Sequence, residues 1–281
     1  MEIIKTKIDI RKVLNSHKLK GRSIGFVPTM GALHAGHVSL VKKSNEINDI
    51  TICSVFVNPT QFNKSNDFEN YPSTIESDVQ LLEDANCDIL FLPSKEEMYS
   101  GGKEESFDYG NLGNVMEGAH RPGHFNGVAL VISKFFNILN PNSAFFGQKD
   151  YQQLAIIKQL VIDKSFNVKV YSCSTFREKS GLAMSSRNNR LNKAELIEAS
   201  IIYKSLQLAK KHILINTPKD SLLKEVDSLY NKSNLELEYI EIADPITLQS
   251  IKDFRNHKQL VICVAAFLGD VRLIDNIVVD I

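Results

Sequence analysis

Two imidazoles, His34 and His37, flank Ala35-Gly36 at the end of the run Phe26-Val27-Pro28-Thr29-Met30-Gly31-Ala32-Leu33-His34-Ala35-Gly36-His37. The apolar stretch Ser23 to Val27 reads as a strand and Gly36 to Asn48 as a helix, so the histidines fall where a strand turns into a helix. The first amides of a helix lack partners inside it and the macrodipole favours negative charge there, so a phosphate at this turn meets donors already oriented. With Gly36 removing bulk between them, both rings can lie on one side of the helix start and donate to the same phosphate. Donors aimed at charge that develops during phosphoryl or nucleotidyl transfer lower the barrier directly, and losing one costs ~100-fold to ~1000-fold in rate. Zinc is the rival reading, but no third His, Cys or Glu stands nearby at ligand spacing, so no protein-held metal is expected.

Further groups fall at equivalent turns. Asn58 and Gln61 follow the second strand, and uncharged amides there suit the hydroxyls and carboxylate of a small polar substrate, although Asn58-Pro59 alone also reads as a turn. Gly147-Gln148-Lys149-Asp150 again joins a strand to a helix: the glycine admits a nucleotide to the backbone, the lysine supplies a mobile cation, and Asp150 can cap the helix. Met184-Ser185-Ser186-Arg187 offers two hydroxyls and a guanidinium, a phosphate-binding set that by composition can equally be a linker. His120 and His124 are four apart, but Pro122 and Gly123 interrupt a regular helix between them, which argues against a metal pair. Asp78, on a helix after Tyr71-Pro72-Ser73-Thr74, reads as part of a solvated helix face.

The elements that must position these groups alternate along the chain. Strands are expected at Ser23–Val27, Ile50–Val57, Asp88–Leu92, Ala144–Gly147 and Val168–Ser172, with helices at Gly36–Asn48, Ser73–Ala85, Gly127–Leu139 and Asp150–Asp163. A Gly-rich polar stretch spans Ser100 to Gly123. Such alternation implies right-handed crossovers and a Rossmann-like, doubly wound parallel sheet of the α/β class, with ligands beyond the carboxyl ends of the strands. Thr175 to Asn192 turns polar; two helical segments follow, Lys193–Leu214 and Lys219–Lys232, and then strands, clearest at Leu235–Ile242 and Leu260–Leu268. The expected division is residues 1–176, binding the nucleotide and small substrate, and a smaller C-terminal α+β lid domain, residues 177–281. Composition fits a globular protein: 43% of the 281 residues are hydrophobic, 23% are charged, and 33 basic residues balance 33 acidic ones. A net charge of zero without a Lys/Arg-rich block argues against a nucleic-acid partner, and no run of 18 apolar residues or targeting signal argues for membrane or export, so the expected location is cytoplasmic. Cys53, Cys87, Cys173 and Cys263 form no Cys-x-x-Cys pair and read as reduced thiols, mostly buried in strands.

Pro28-Thr29-Met30-Gly31 running into His34-Ala35-Gly36-His37 resembles the adenylation motif of the pantothenate synthetase family, within the wider nucleotidyltransferases that carry His-x-Gly-His. Val55 to Phe62, Arg121 to Val128, Phe146 to Gln153 and Gly181 to Asn188 agree in order and spacing, with weaker similarity at Tyr239–Pro245 and Arg272–Asn276. The resemblance implies ATP-dependent joining of pantoate to β-alanine through a pantoyl adenylate, giving pantothenate for coenzyme A synthesis, with Mg²⁺ carried mainly by the nucleotide. It implies His34, His37 and Lys149 as catalytic groups, and ATP contacts from Met30 through His37, from Gly147 through Asp150, from Phe176, and from Met184, Ser185, Ser186 and Arg187. Gln61 is implied to touch both pantoate and β-alanine, Asn58 and Gln153 to touch pantoate, and His124 to line the pocket. The family also implies a homodimer. Ser174 stands where the family often has Pro, Phe176 where a smaller aliphatic is common, and Gln148 where Glu is frequent. A nucleotidyltransferase that yields a dinucleotide-like product, or a non-catalytic ATP-binding module, are the other classes compatible with the His-x-Gly-His turn.

Overall fold

In a computed structural model, which describes residues 1–62, 71–100 and 105–281, the apolar runs build two sheets. Strands Glu2–Ile4 (β1), Ile24–Thr29 (β2), Ile50–Val55 (β3), Ile89–Phe91 (β4), Ser143–Gly147 (β5) and Lys169–Cys173 (β6) form a parallel sheet in the order β1-β4-β3-β2-β5-β6. Both faces are covered, which the strand residues record by alternation. Ile24, Phe26, Ile52, Ile89, Phe91, Ala144 and Phe146 enter one core with helices Lys7–Leu19, His124–Leu139 and Tyr151–Asp163. Val27, Cys53, Leu90 and Phe145 point the other way, into a core shared with helices Ala35–Asn45 and Ile75–Asp84.

Residues 2–19, where the sequence pattern gives no expected element, form β1 and the first helix. The strand is three residues long and draws its order from β4. The helix is capped by Thr6, whose side chain accepts from the Asp9 amide, and buries only Ile10 and Leu14. The polar stretch 100–123 contains two short helices, Asn111–Asn114 and Met116–His120, while residues 101–104 lie outside the described residues. Between His120 and His124 the helix does break, with Gly123 in the left-handed region at φ 82°.

Beyond residue 190, helices Lys193–Ala199, Ile201–Leu214 and Lys219–Tyr230 pack on an antiparallel sheet of Leu235–Ala243 (β7), Gln259–Leu268 (β8) and Val271–Asp280 (β9). The expected single helical segment 193–214 is interrupted at Ser200, whose hydroxyl bonds back to the Ile197 carbonyl. Along β8, Leu260, Ile262, Val264, Ala266 and Leu268 meet the helices, whereas Val261 and Cys263 join Met116 and Leu248 in a small core on the opposite face. That second face meets the parallel-sheet unit, and the contact places β9 beside the β5 turn.

Candidate active site

The cavity of interest opens where the strand order reverses, between β2 and β5. The Ser23 carbonyl just before β2 accepts from Ile50 of β3 and the Thr29 carbonyl at its end from Phe56 just after β3, while the Ile24 carbonyl accepts from Asn142 just before β5. Residue 28 shares the phase of Ile24, and proline has no N–H to offer. Pairing of β2 with β5 accordingly stops at Phe26–Ala144, while pairing with β3 continues to Thr29–Val55. The strands part above Phe26 and leave a cavity of about 250 Å³ at their carboxyl ends.

One wall is the loop from Met30 to His37. Gly31 and Ala32 both take left-handed φ, 83° and 49°, and the side chain of Asp78 holds them there. Its carboxylate accepts the Ala32 amide at 3.0 Å, the Leu33 amide at 2.8 Å and the Thr74 hydroxyl at 3.1 Å. Asp78 is 1% exposed, so its assignment to a solvated helix face is wrong. The helix period contains the signal: Ile75, Asp78, Val79 and Leu82 fall at i, i+3, i+4 and i+7, which puts the acid on the apolar stripe.

The two histidines form a reciprocal cap on helix Ala35–Asn45. His34 Nδ1 accepts the Gly36 amide at 3.1 Å and His37 Nδ1 accepts the His34 amide at 3.3 Å. An acceptor at Nδ1 requires the proton at Nε2, so each ring keeps an N–H for another partner. The rings lie 4.1 Å apart, and a Cβ on Gly36 would stand 2.9 Å from His34 Nδ1. Burial, then the charge of Lys149, lowers the His34 pKa to about 4. Burial, then His34 and Lys149, lowers that of His37 to about 3. At neutral pH both are uncharged donors.

Across the cavity, helix His124–Leu139 packs so closely on the turn Pro59–Gln61 that a Cβ on Gly127 would stand 2.3 Å from the Thr60 carbonyl. Asn58 fastens that contact: its amide donates to the Gly127 carbonyl at 3.0 Å and to Gln61 Oε1 at 3.3 Å, and its oxygen accepts from Thr60 and from the Tyr99 hydroxyl. Asn58 is 1% exposed and lines the cavity beside Gln61, with its polar atoms bonded within the protein. Gln61 itself sits with its amide nitrogen against the Met30 sulfur. His124 Nδ1 lies 2.8 Å from the Gln61 carbonyl, which can only accept, so this ring is protonated at Nδ1 and carries a bare Nε2, the reverse of His34 and His37. Burial, then Arg121, lowers the His124 pKa to about 4. His120 turns away, its ring stacked 5.2 Å from that of Tyr239 and 3.4 Å from the Glu238 carboxylate.

The remaining wall is cationic. Lys149, Arg121 and Arg187 line the cavity with one acid, Asp150, beside Gly147, Gln153, Phe176, Met184, Ser185 and Ser186. Three cations against one acid suit a polyanion. Asp150 precedes helix Tyr151–Asp163 but makes no side-chain cap bond, so the capping role considered for it is not the one it plays. Gly31, Ala32, Leu33, Ala35 and Gln148, expected at the nucleotide, do not line the cavity; they shape the turns that carry Met30, His34, His37 and Lys149. Arg121 carried no role in the sequence reading. It stands 3.8 Å from Glu117, whose carboxylate also receives Arg272 in two bonds of 2.7 Å and the Tyr239 hydroxyl at 2.8 Å. Burial works to raise the Glu117 pKa, but bonds from Arg272 and Tyr239 outweigh it and lower the value to about 2.

A family model described as pantoate-beta-alanine ligase matches residues 2–278. The chain is 46% identical over 277 residues to the pantothenate synthetase of Bacteroides fragilis, covering 99% of this chain and 98% of that protein. It is 45% identical over 272 residues to that of Cytophaga hutchinsonii, 96% of each. Among solved structures, pantothenate synthetase from Thermus thermophilus superposes with a TM-score of 0.92 at 36% identity over 99% of both chains. Pantoate-beta-alanine ligase from Francisella tularensis, complexed with beta-gamma ATP and beta-alanine, superposes with a TM-score of 0.82 at 38% identity, over 99% of this chain and 97% of its own.

Proposed function

The chain belongs to the pantoate–β-alanine ligase family, and from that premise we propose that it joins pantoate to β-alanine by spending ATP, through an enzyme-held pantoyl adenylate. One observation carries the reading: His34, His37, Lys149, Ser185, Ser186 and Arg187, from three separate segments, line a single cavity with Gln61 and Gln153.

In the first step a pantoate carboxylate oxygen attacks the α-phosphorus of ATP. A new P–O bond forms, the bond from the α-phosphorus to the bridging oxygen breaks, and pyrophosphate leaves with the electron pair. His34 and His37 donate from Nε2 to phosphate oxygens; being neutral, they meet developing charge without adding a full charge to the ground state. Lys149 and the Ser185-Ser186-Arg187 loop hold the β- and γ-phosphates. Gln61 and Gln153 orient pantoate, with Asn58 fixing Gln61. In the second step the β-alanine amine attacks the acyl carbon, the carbon–oxygen bond to AMP breaks, and the amine loses a proton to solvent. Gln61 is assigned to β-alanine as well. No protein nucleophile is required, because the mixed anhydride already has a good leaving group.

Among the described residues no group of three His, Cys, Asp or Glu is arranged to hold a metal ion, and the carboxylate of Asp78 is committed to backbone amides. With Asp150 as the one acid on the cavity, the ion would be carried mainly by the nucleotide. Mg²⁺ is assigned to the nucleotide, with phosphate oxygens and water as ligands, and the reaction steps are assigned to other groups. Packing of the unit formed by residues 177–281 over the cavity would keep water from the adenylate. The reading includes a cytoplasmic homodimer that supplies pantothenate for coenzyme A. Among the described residues no helix is long and apolar enough to cross a membrane.

The test is a coupled assay omitting ATP, pantoate or β-alanine in turn, with ATP–pyrophosphate exchange measured separately. Exchange that needs pantoate but not β-alanine, and AMP release that needs all three, is the expected result. Exchange without pantoate, or a stable nucleotide-bearing product, refutes it.

A further inference from the structure

Two adjacent residues of β9, Asp275 and Asn276, are buried beside the cavity, and no step of the reaction uses them. The Asn276 amide nitrogen donates to two consecutive backbone carbonyls, Gln148 at 3.0 Å and Lys149 at 2.7 Å. Those carbonyls belong to the two peptide planes on either side of the Lys149 Cα. Fixing both planes fixes the backbone dihedrals of Lys149 and the direction in which its side chain starts.

Asp275 acts in the opposite direction along the same strand. Its carboxylate receives both terminal nitrogens of Arg177, at 2.5 and 3.0 Å, and Arg177 donates further to the carbonyls of Gly181 and Asn276. The guanidinium lies 4.3 Å from the centre of the Tyr203 ring. Gly181, at φ 90°, passes so near Tyr203 that a Cβ would come within 2.1 Å of it. Arg177 pairs with Ala183 in a bridge and the Met184 amide bonds to the Phe176 carbonyl at 2.9 Å, so this turn carries Phe176 and Met184 to the cavity and leads directly into Ser185, Ser186 and Arg187. One dipeptide therefore anchors the lysine turn through its asparagine and the serine–arginine loop through its aspartate.

We propose that Asp275-Asn276 is a positioning pair that sets the spacing between Lys149 and the Ser185-Ser186-Arg187 loop across the bound triphosphate, a role that rests on the ATP reading above. A latch that merely joined the two units would have no reason to grip the peptides flanking the site's lysine. Neither residue touches substrate; both work through groups that do. A misplacement of about 1 Å at a reacting group can cost ~100-fold in rate, so the pair controls turnover out of proportion to its bond count.

The experiment is pantoate-dependent ATP–pyrophosphate exchange by the full chain, for wild type, Asn276→Ala, Asn276→Ser, Lys149→Ala and the Lys149→Ala/Asn276→Ala double variant, with thermal unfolding followed alongside. Asn276→Ala is expected to slow exchange by ~10-fold to ~100-fold, and Asn276→Ser, which keeps one donor, to recover part of the loss. In the Lys149→Ala background the same change should cost no more than about twofold, because residues acting through one group are not additive. An equal fold-loss in both backgrounds, or an Asn276→Ala enzyme within about threefold of wild type, overturns the proposal. If Asn276→Ala does not fold, Asn276→Ser carries the same comparison. Wild type without pantoate-dependent exchange, or Lys149→Ala at full rate, would instead fell the ATP reading and this proposal with it.

Discussion

Replacing Asp78 by Ala should damage the site without touching any residue that lines it. The carboxylate takes two buried amides, Ala32 at 3.0 Å and Leu33 at 2.8 Å, and a hydroxyl from exposed Thr74. Hydrogen bonds to a charged partner contribute ~1.5–3 kcal/mol each, so the two amides alone set a range of ~3–6 kcal/mol. The hydroxyl can turn to solvent. Relaxation of Ala32 from φ 49°, a conformation that costs ~1–2 kcal/mol, returns part of the loss. The expected change is ~3 kcal/mol, which at an unfolding entropy of ~2 cal/mol/K per residue lowers Tm of a chain of this size by ~5 °C. Because residues 31–33 lead into the His34 cap, exchange should also fall by ~100-fold at a temperature where the variant is still folded. Asp78→Asn is the sharper control, since it keeps the shape but turns an NH₂ towards one of the two amides, and should lie between wild type and Asp78→Ala in both readouts. Denaturant unfolding and exchange kinetics measure the two effects; an Asp78→Ala protein within about 1 kcal/mol and about threefold of wild type would refute the account of the loop.

The remaining predictions concern groups at the cavity. With His34 and His37 titrating at about 4 and about 3, kcat/KM for exchange should show no imidazole inflection between pH 6 and 8; one near 6.5 that disappears in His37→Ala would contradict the neutral-donor assignment. His34, His37 and His124 have folded pKa values of about 4, 3 and 4, below the unfolded 6.5, so between these limits the unfolded chain binds more protons and stability falls as pH falls. Glu117, at about 2 against 4.5 unfolded, adds a loss of the same sign below pH 5; urea titrations from pH 8 to 4 should show a plateau above 7 and a decline below 6, and a flat profile refutes the burial of these rings. Gly36→Ala should slow exchange by ~10-fold or more, because its Cβ displaces the His34 ring, while stability stays within ~1 kcal/mol of wild type since Ala favours a helix. Gln61→Ala should raise KM for pantoate and for β-alanine and leave ATP binding unchanged by calorimetry, and unaltered dependence on both acids would remove Gln61 from the pocket.

What the sequence discloses and what it hides divide along chain distance. The His34 ring caps the Gly36 amide two residues on and the His37 ring the His34 amide three residues back, so strand, turn and cap fall within one short window. The sheet was legible for the same reason: each strand of β2 to β6 is an apolar run bounded by turn residues, and the alternation with helices orders them. β1 was not, because three residues make no period and its stability comes from β4, some 85 residues further along. Asp78 was misread because helix Ile75–Asp84 is charged on most of its surface, and only the partners at Ala32 and Leu33, 46 and 45 residues away, explain an acid on its apolar stripe. The residues behind the cationic wall lie further still: Asn276 is 127 residues from Lys149, and Arg272 is 155 from Glu117, the acid beside Arg121. A carboxamide or guanidinium on an alternating strand has no local pattern to mark it. Chemistry that must approach the substrate is confined to strand ends and can be found from spacing, whereas the groups that hold it in place can sit on any element that packs behind, and only the fold brings them into view.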